Sequence, residues 1–191
     1  MNDLVIGGSP VGDGYPVICV GEEGINHSGD IDIAKKLVDV CIDAGCNAVK
    51  MQKRDIEIVY SADELARPRE SPFGTTNGDL KRGLELSKEE YDEFDVYCKS
   101  KNMTWFGSAW NESSVDFLAQ YEPPCFKIAS ACITDDSLLR HHLQYHKPLI
   151  ISTAMTTVRQ VDHAMEIVGT DNVVLMHCIG LYPCPPEKLN L

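Results

Sequence analysis

The chain has 191 residues, 43% of them hydrophobic, which is enough for one domain with a real core and too few for two full domains. Its 29 acidic and 17 basic side chains give a formal charge of −12, which argues against nucleic acid or an anionic membrane as partner, because both favour clustered Lys and Arg. Any anionic ligand would need a local group of cations inside this repelling field.

Nothing near Met1 combines a basic start with an apolar run of about 7–15 residues, and no stretch approaches the ~20 apolar residues of a membrane span, so the sequence reads as cytoplasmic. Tyr15–Val20 is an apolar, β-branched run that reads as a buried strand, and Gly21, Glu22, Glu23 and Gly24 read as the loop at its end. From Asp30 to Ala44, Ile33, Leu37, Val40 and Cys41 recur at helical spacing; Asp30 or Asp32 can cap the start and Gly45 ends the helix. Cys46–Met51 is the second strand. Residues 54–83 show no clean periodicity and read as a long loop, a length usually kept for lids or binding loops.

Ser87 and Glu90 form a capping box that opens a helix to about Lys101. Strands follow at Thr104–Ser108, Cys125–Ser130, Pro148–Ser152 and Asn172–Cys178, with helices at Glu112–Tyr121, Asp135–Gln144 and Val158–Val168. Continuous apolar strands alternating with amphipathic helices mean an α/β protein with a parallel sheet covered on its faces. A doubly wound sheet and a barrel both satisfy that pattern. No GxGxxG turn follows the first strand, while polar residues end nearly every strand: Glu22, Lys50, Gln52, Ser108, Lys127, Ser130, Ser152, Thr153, His177 and Tyr182. This favours a TIM-type (β/α)8 barrel, which would need two strands more than the six read here. The eight cysteines include no CxxC pair and no Cys/His cluster at zinc spacing, and read as free thiols with packing roles.

Five blocks carry a specific likeness: GEEGINHSGDIDIAKKLVDVCIDAGCNAVKMQKR, LELSKEEYDEFDVYCKSKNMTWFGSAW, FKIASA, KPLIISTAMTT and VVLMHCIGLYPCPPEKLNL. In this order they resemble the sialic acid synthase family, whose members condense phosphoenolpyruvate with an N-acetylated hexose such as N-acetylmannosamine. The resemblance implies a (β/α)8 barrel followed by a small antifreeze-like domain, so that residues 1–191 would be an incomplete barrel domain cut after about six β/α units. It implies Glu22 as the proton-handling group, Lys50, Lys127, Ser130 and Ser152 as phosphoenolpyruvate contacts, and Gln52 and Tyr182 as sugar contacts. Asn77, in the long loop, could reach sugar hydroxyls. Glu22 rather than Glu23 should face the site, because adjacent residues at a strand end point opposite ways.

The family's divalent metal, manganese or magnesium, is held by histidines in YSDH-like and EKH-like blocks that have no counterpart here; the resemblance puts these ligands beyond Leu191. His27 and His177 therefore read as non-ligands, and no metal residue is assigned in this chain. Two further departures are Gly180, where the family carries Asn or Ser, and Cys132, which is acidic in some members. The full-length family implies a homodimer with small-molecule substrates only. Open alternatives are a non-catalytic remnant or subunit that binds phosphoenolpyruvate-like anions, and a related phosphoenolpyruvate-condensing barrel that makes another keto acid.

Overall fold

The computed structural model describes residues 4–190. Leu191, which the sequence reading takes as the point where the barrel is cut, lies outside the described residues, as do the first three. β1 (Leu4–Ile6) and β2 (Ser9–Val11) form an antiparallel hairpin, turned through Gly7 and Gly8 at φ of 58° and 82°. Ile6 packs on Ala48, Phe106 and Cys125, and a Cβ on Gly7 would stand 3.0 Å from Thr104. The hairpin thus closes the N-terminal end of the main sheet.

The first sheet strand, β3 (Val20–Gly24), lies later in the chain than the apolar run Tyr15–Val20 predicts. Pro16 has no N–H to give a ladder and Val17 is 84% exposed; pairing begins only at Val20, opposite Ala48. Gly21–Gly24, expected as loop, is strand, with a register shift between Glu22 and Gly24 that makes Glu23 a bulge residue. α1 (Ile31–Asp43) follows, and Asp30 caps it by accepting from the N–H groups of Asp32 and Ile33. Next comes β4 (Ala48–Lys53).

Residues 54–83 are not a loop but a string of short elements: α2 (Ile56–Val59), α3 (Ala62–Leu65), an antiparallel hairpin of β5 (Pro68–Ser71) and β6 (Gly74–Thr76), and α4 (Asn77–Gly83). Each helix has its own cap, from Asp55, Ser61 and a Thr76–Asp79 capping box. Elements of one or two turns are too short to show a period, which is why the sequence hides them.

Beyond them run α5 (Lys88–Ser100), opened by the Ser87–Glu90 capping box, β7 (Thr104–Ala109), α6 (Glu112–Ala119), β8 (Phe126–Ile128), a 3₁₀ turn at Ser130–Cys132, and α7 (Asp136–Leu143). The described chain finishes with β9 (Leu149–Ser152), α8 (Val158–Val168), β10 (Val173–Met176) and a 3₁₀ turn at Pro186–Lys188. The six-stranded sheet is parallel throughout, in the order β10-β9-β8-β7-β4-β3. It is a half-barrel whose edge strands are β3 and β10.

Alternation along the strands sorts the side chains onto two faces. Val49, Met51, Trp105, Phe126, Ile128, Leu149 and Ile151 face the helices and meet Ala34, Val38, Phe94, Leu118, Leu139 and Ala164 in the main core. The opposite, concave face carries Lys50, Gln52, Ser108, Lys127 and Ser152. Burying the apolar set behind the sheet therefore forces the polar set into the barrel interior. All eight cysteines are free thiols; Cys98, Cys125 and Cys132 are buried, whereas Cys19 is exposed.

Candidate active site

The C-terminal half of the concave face holds a cavity of about 400 Å³, lined by Glu22, Lys50, Gln52, Ser108, Lys127, Ser130 and Ser152 with apolar neighbours. Strand register builds it. Glu22 lies opposite Lys50, Gln52 opposite Ser108, and Ser108 opposite Lys127, so each neighbouring strand adds one polar group to the same end of the sheet.

Both ammonium groups are buried, and neighbouring oxygens hold them in place. Lys50 Nζ donates to Ser108 Oγ at 3.0 Å and stands 3.0 Å from Glu22 Oε1. Lys127 Nζ donates to Ser152 Oγ at 2.6 Å and to the Ile128 carbonyl at 2.7 Å. Ser130 Oγ accepts from the Ala154 amide at 3.0 Å, which ties the 3₁₀ turn to the end of β9. Burial, reinforced by the charge of Lys50, pushes the Lys127 ammonium down to about 8. Two cations that repel each other in a half-dry cleft are stabilised by an anion placed between them. The Glu22 carboxylate is 58% exposed while Lys50 is buried, so solvent screens their pair from one side.

Glu23 points the other way, into the layer behind the sheet. It is 2% exposed, neither carboxylate oxygen has a hydrogen-bond partner among the described residues, and burial followed by the charge of Glu22 raises its carboxyl to about 8. Glu22 is therefore the carboxylate presented to the cavity.

A model of the NeuB family matches residues 37–191, most of the chain. The chain belongs to the NeuB family. It is 33% identical to the N-acetylneuraminate-9-phosphate synthase of Drosophila melanogaster, over 92% of this chain and 48% of that protein. Against the N,N'-diacetyllegionaminic acid synthase of Legionella pneumophila it is 30% identical over its whole length and 56% of the relative. The crystal structure of the spore coat polysaccharide biosynthesis protein SpsE of Bacillus subtilis superposes with a TM-score of 0.77 at 31% identity, over 97% of this chain and 50% of that one. The chain spans about half the length of the curated relatives it matches.

Not every candidate residue read from the sequence reaches the cavity. Asn77 opens α4 and is buried, donating to the Glu64 carbonyl at 3.3 Å and accepting from Arg69 at 3.4 Å; its polar atoms serve the 54–83 segment. Tyr182 is fully exposed beyond β10 and lines no part of the cavity. His27 is buried, its Nδ1 accepting from the Gly29 amide, and His177 Nε2 lies 2.7 Å from the Leu189 carbonyl oxygen. Cys132 is also buried, and burial pushes its thiol up to about 11.

One residue of the cavity and one behind it escape a sequence reading of roles. Ser108 reads there only as a strand end, although alternation in Thr104–Ala109 puts it on the Lys50 side. Arg54 follows Gln52 by two residues; it is 4% exposed, ion-paired to Glu85 through Nε at 2.8 Å, and donates to Tyr60 Oη at 3.1 Å. Its signal is the buried partner Glu85, hidden by 31 residues of separation. Among the described residues no three His, Cys, Asp or Glu side chains converge to hold a metal ion. They do not fit the divalent ion that the resemblance implies. Among the described residues no helix is long and apolar enough to cross a membrane.

Proposed function

We propose that the protein to which this half-barrel belongs makes a nonulosonic acid, by condensing phosphoenolpyruvate with an N-acetylated hexose such as N-acetylmannosamine or a relative. The observation that carries the proposal is the pair Lys50 and Lys127, buried on adjacent rows of the cavity with Ser108, Ser130 and Ser152 beside them. Phosphoenolpyruvate brings a phosphate and a carboxylate on one small frame, and two cations with hydroxyl donors match that charge.

In the reaction the methylene carbon of phosphoenolpyruvate forms a bond to the aldehyde carbon of the open-chain sugar. Water adds to the neighbouring cationic carbon, and the bond from that carbon to the phosphate oxygen breaks. The water oxygen remains as the keto group; one of its protons ends on the new hydroxyl and the other on the departing phosphate. Glu22, at the rim and next to Lys50, moves these protons. The lysines stabilise negative charge on the phosphoenolpyruvate end throughout. The full protein is proposed to use a manganese or magnesium ion and to act in the cytoplasm as a homodimer, as the family resemblance implies.

Inorganic phosphate release by the full-length protein, supplied with manganese, is the test. Release should require phosphoenolpyruvate and an N-acetylated hexose together, with a product whose mass equals both plus water minus phosphoric acid. Release with an unacetylated aldose phosphate instead would replace this proposal with another keto-acid synthase.

A further inference from the structure

Gln52 is a cavity residue whose polarity is dictated from behind. A guanidinium has only donors, so whichever end of a neighbouring amide faces it must be the oxygen. The amide orientation that satisfies both partners turns Gln52 Oε1 to Arg54, where it accepts from Nη1 and Nε at 3.2 Å each. Arg54 cannot turn aside: its Nε is paired to Glu85 Oε1 at 2.8 Å, its backbone N–H donates to Glu85 Oε2 at 3.2 Å, and its Nη1 is bonded to Tyr60 Oη. Glu85 itself is held by Lys53 at 3.5 Å. The chain of contacts runs from Glu85, just beyond α4, through Arg54, to the lining of the cavity.

We infer that Arg54 is a positioning residue that fixes the Gln52 amide with its NH2 turned to the cavity, so that the site selects a sugar presenting an acceptor oxygen, carbonyl or hydroxyl, at that point. The inference rests on the sugar-binding reading of the cavity and deepens it. It makes Gln52 a donor to substrate and not an acceptor, and it assigns the setting of that polarity to the Arg54–Glu85 pair. A half-buried donor left without its partner weakens binding, so a sugar with an apolar group there is disfavoured.

The test compares Gln52→Glu, Gln52→Met and Arg54→Lys in the full-length protein. Gln52→Glu keeps an oxygen for Arg54 but offers no donor, whereas Gln52→Met offers neither. Both should raise the KM for the N-acetylated hexose by about tenfold or more, and Gln52→Glu should melt no lower than wild type while Gln52→Met melts lower. Arg54→Lys keeps the charge beside Glu85 and gives up the fork; the sugar KM should rise several-fold with kcat and the phosphoenolpyruvate KM held. Should Gln52→Glu keep the wild-type sugar KM while Gln52→Met loses it, the oxygen faces substrate and the inference is wrong. If the wild-type protein turns over no N-acetylated hexose, the functional proposal fails instead, and the melting order still decides the orientation: Gln52→Glu below Gln52→Met overturns it.

Discussion

Lys127 sits where burial and a second ammonium act against the same charge, so its affinity for anions is tied to pH. Its pKa in the free protein is depressed from 10.5 to about 8, and a bound anion favours the protonated form. Binding of phosphoenolpyruvate should therefore be pH-independent below 8 and weaken above it, by up to about tenfold per pH unit, as binding must take up a proton. Calorimetric titration from pH 7 to 9.5 measures this, and a flat profile would contradict it. Glu23 predicts the opposite kind of effect, on stability. Its folded value of about 8 lies above the ordinary 4.5, so the native state keeps a proton that the unfolded chain releases. Stability then falls as pH rises from about 4.5 to 8, on the order of 1 kcal/mol per pH unit. Glu23→Ile should raise the Tm at pH 8 and flatten the Tm–pH curve; an unchanged slope would show that the carboxyl finds a partner in solution.

Among the elements, the 54–83 segment is held against the sheet end by backbone contact. Gly29 has φ of 74°, and a Cβ there would collide with the Gly83 carbonyl oxygen, while the Phe73 ring covers Gly83. Gly29→Ala should lower the Tm by a few degrees, since the positive φ alone costs roughly 1 kcal/mol. It should also open the β5–β6 hairpin to protease, read as faster cleavage within residues 61–76; cleavage at the wild-type rate would mean the segment is anchored elsewhere. This segment is also where the sequence is least legible. The long elements declare themselves: α8 begins and ends where periodicity places it, and the caps at Asp30 and Ser87 act as their residue types predict. The short helices of 54–83, the N-terminal hairpin and the late start of β3 do not, because each is fixed by local caps, a glycine pair or a missing proline N–H and not by a period. The cavity follows the same division. Lys50, Lys127, Ser130, Ser152 and Glu22 converge because strand ends are legible; Tyr182 stands away from it in irregular chain beyond β10, and Asn77 because it opens α4, a helix too short for a period to reveal.

At the scale of the whole molecule, among the described residues β3 and β10 are each paired on one side only. Val20 at one edge is 39% exposed and Met176 at the other 41%, and both belong to the interior face. Unpaired edges bordered by apolar surface promote association. Residues 1–191 expressed alone should elute as oligomers and bind a hydrophobic dye, whereas a dye-free monomer would mean that the edges are protected in solution. The proposed chemistry stands or falls on whether the two buried lysines hold phosphoenolpyruvate. The most direct measurement is calorimetric titration of the full-length protein with phosphoenolpyruvate, beside Lys127→Met of equal Tm. Loss of one buried cation should weaken binding by about tenfold or more. Equal affinity in the two proteins would place the anion elsewhere and remove the basis for the synthase proposal.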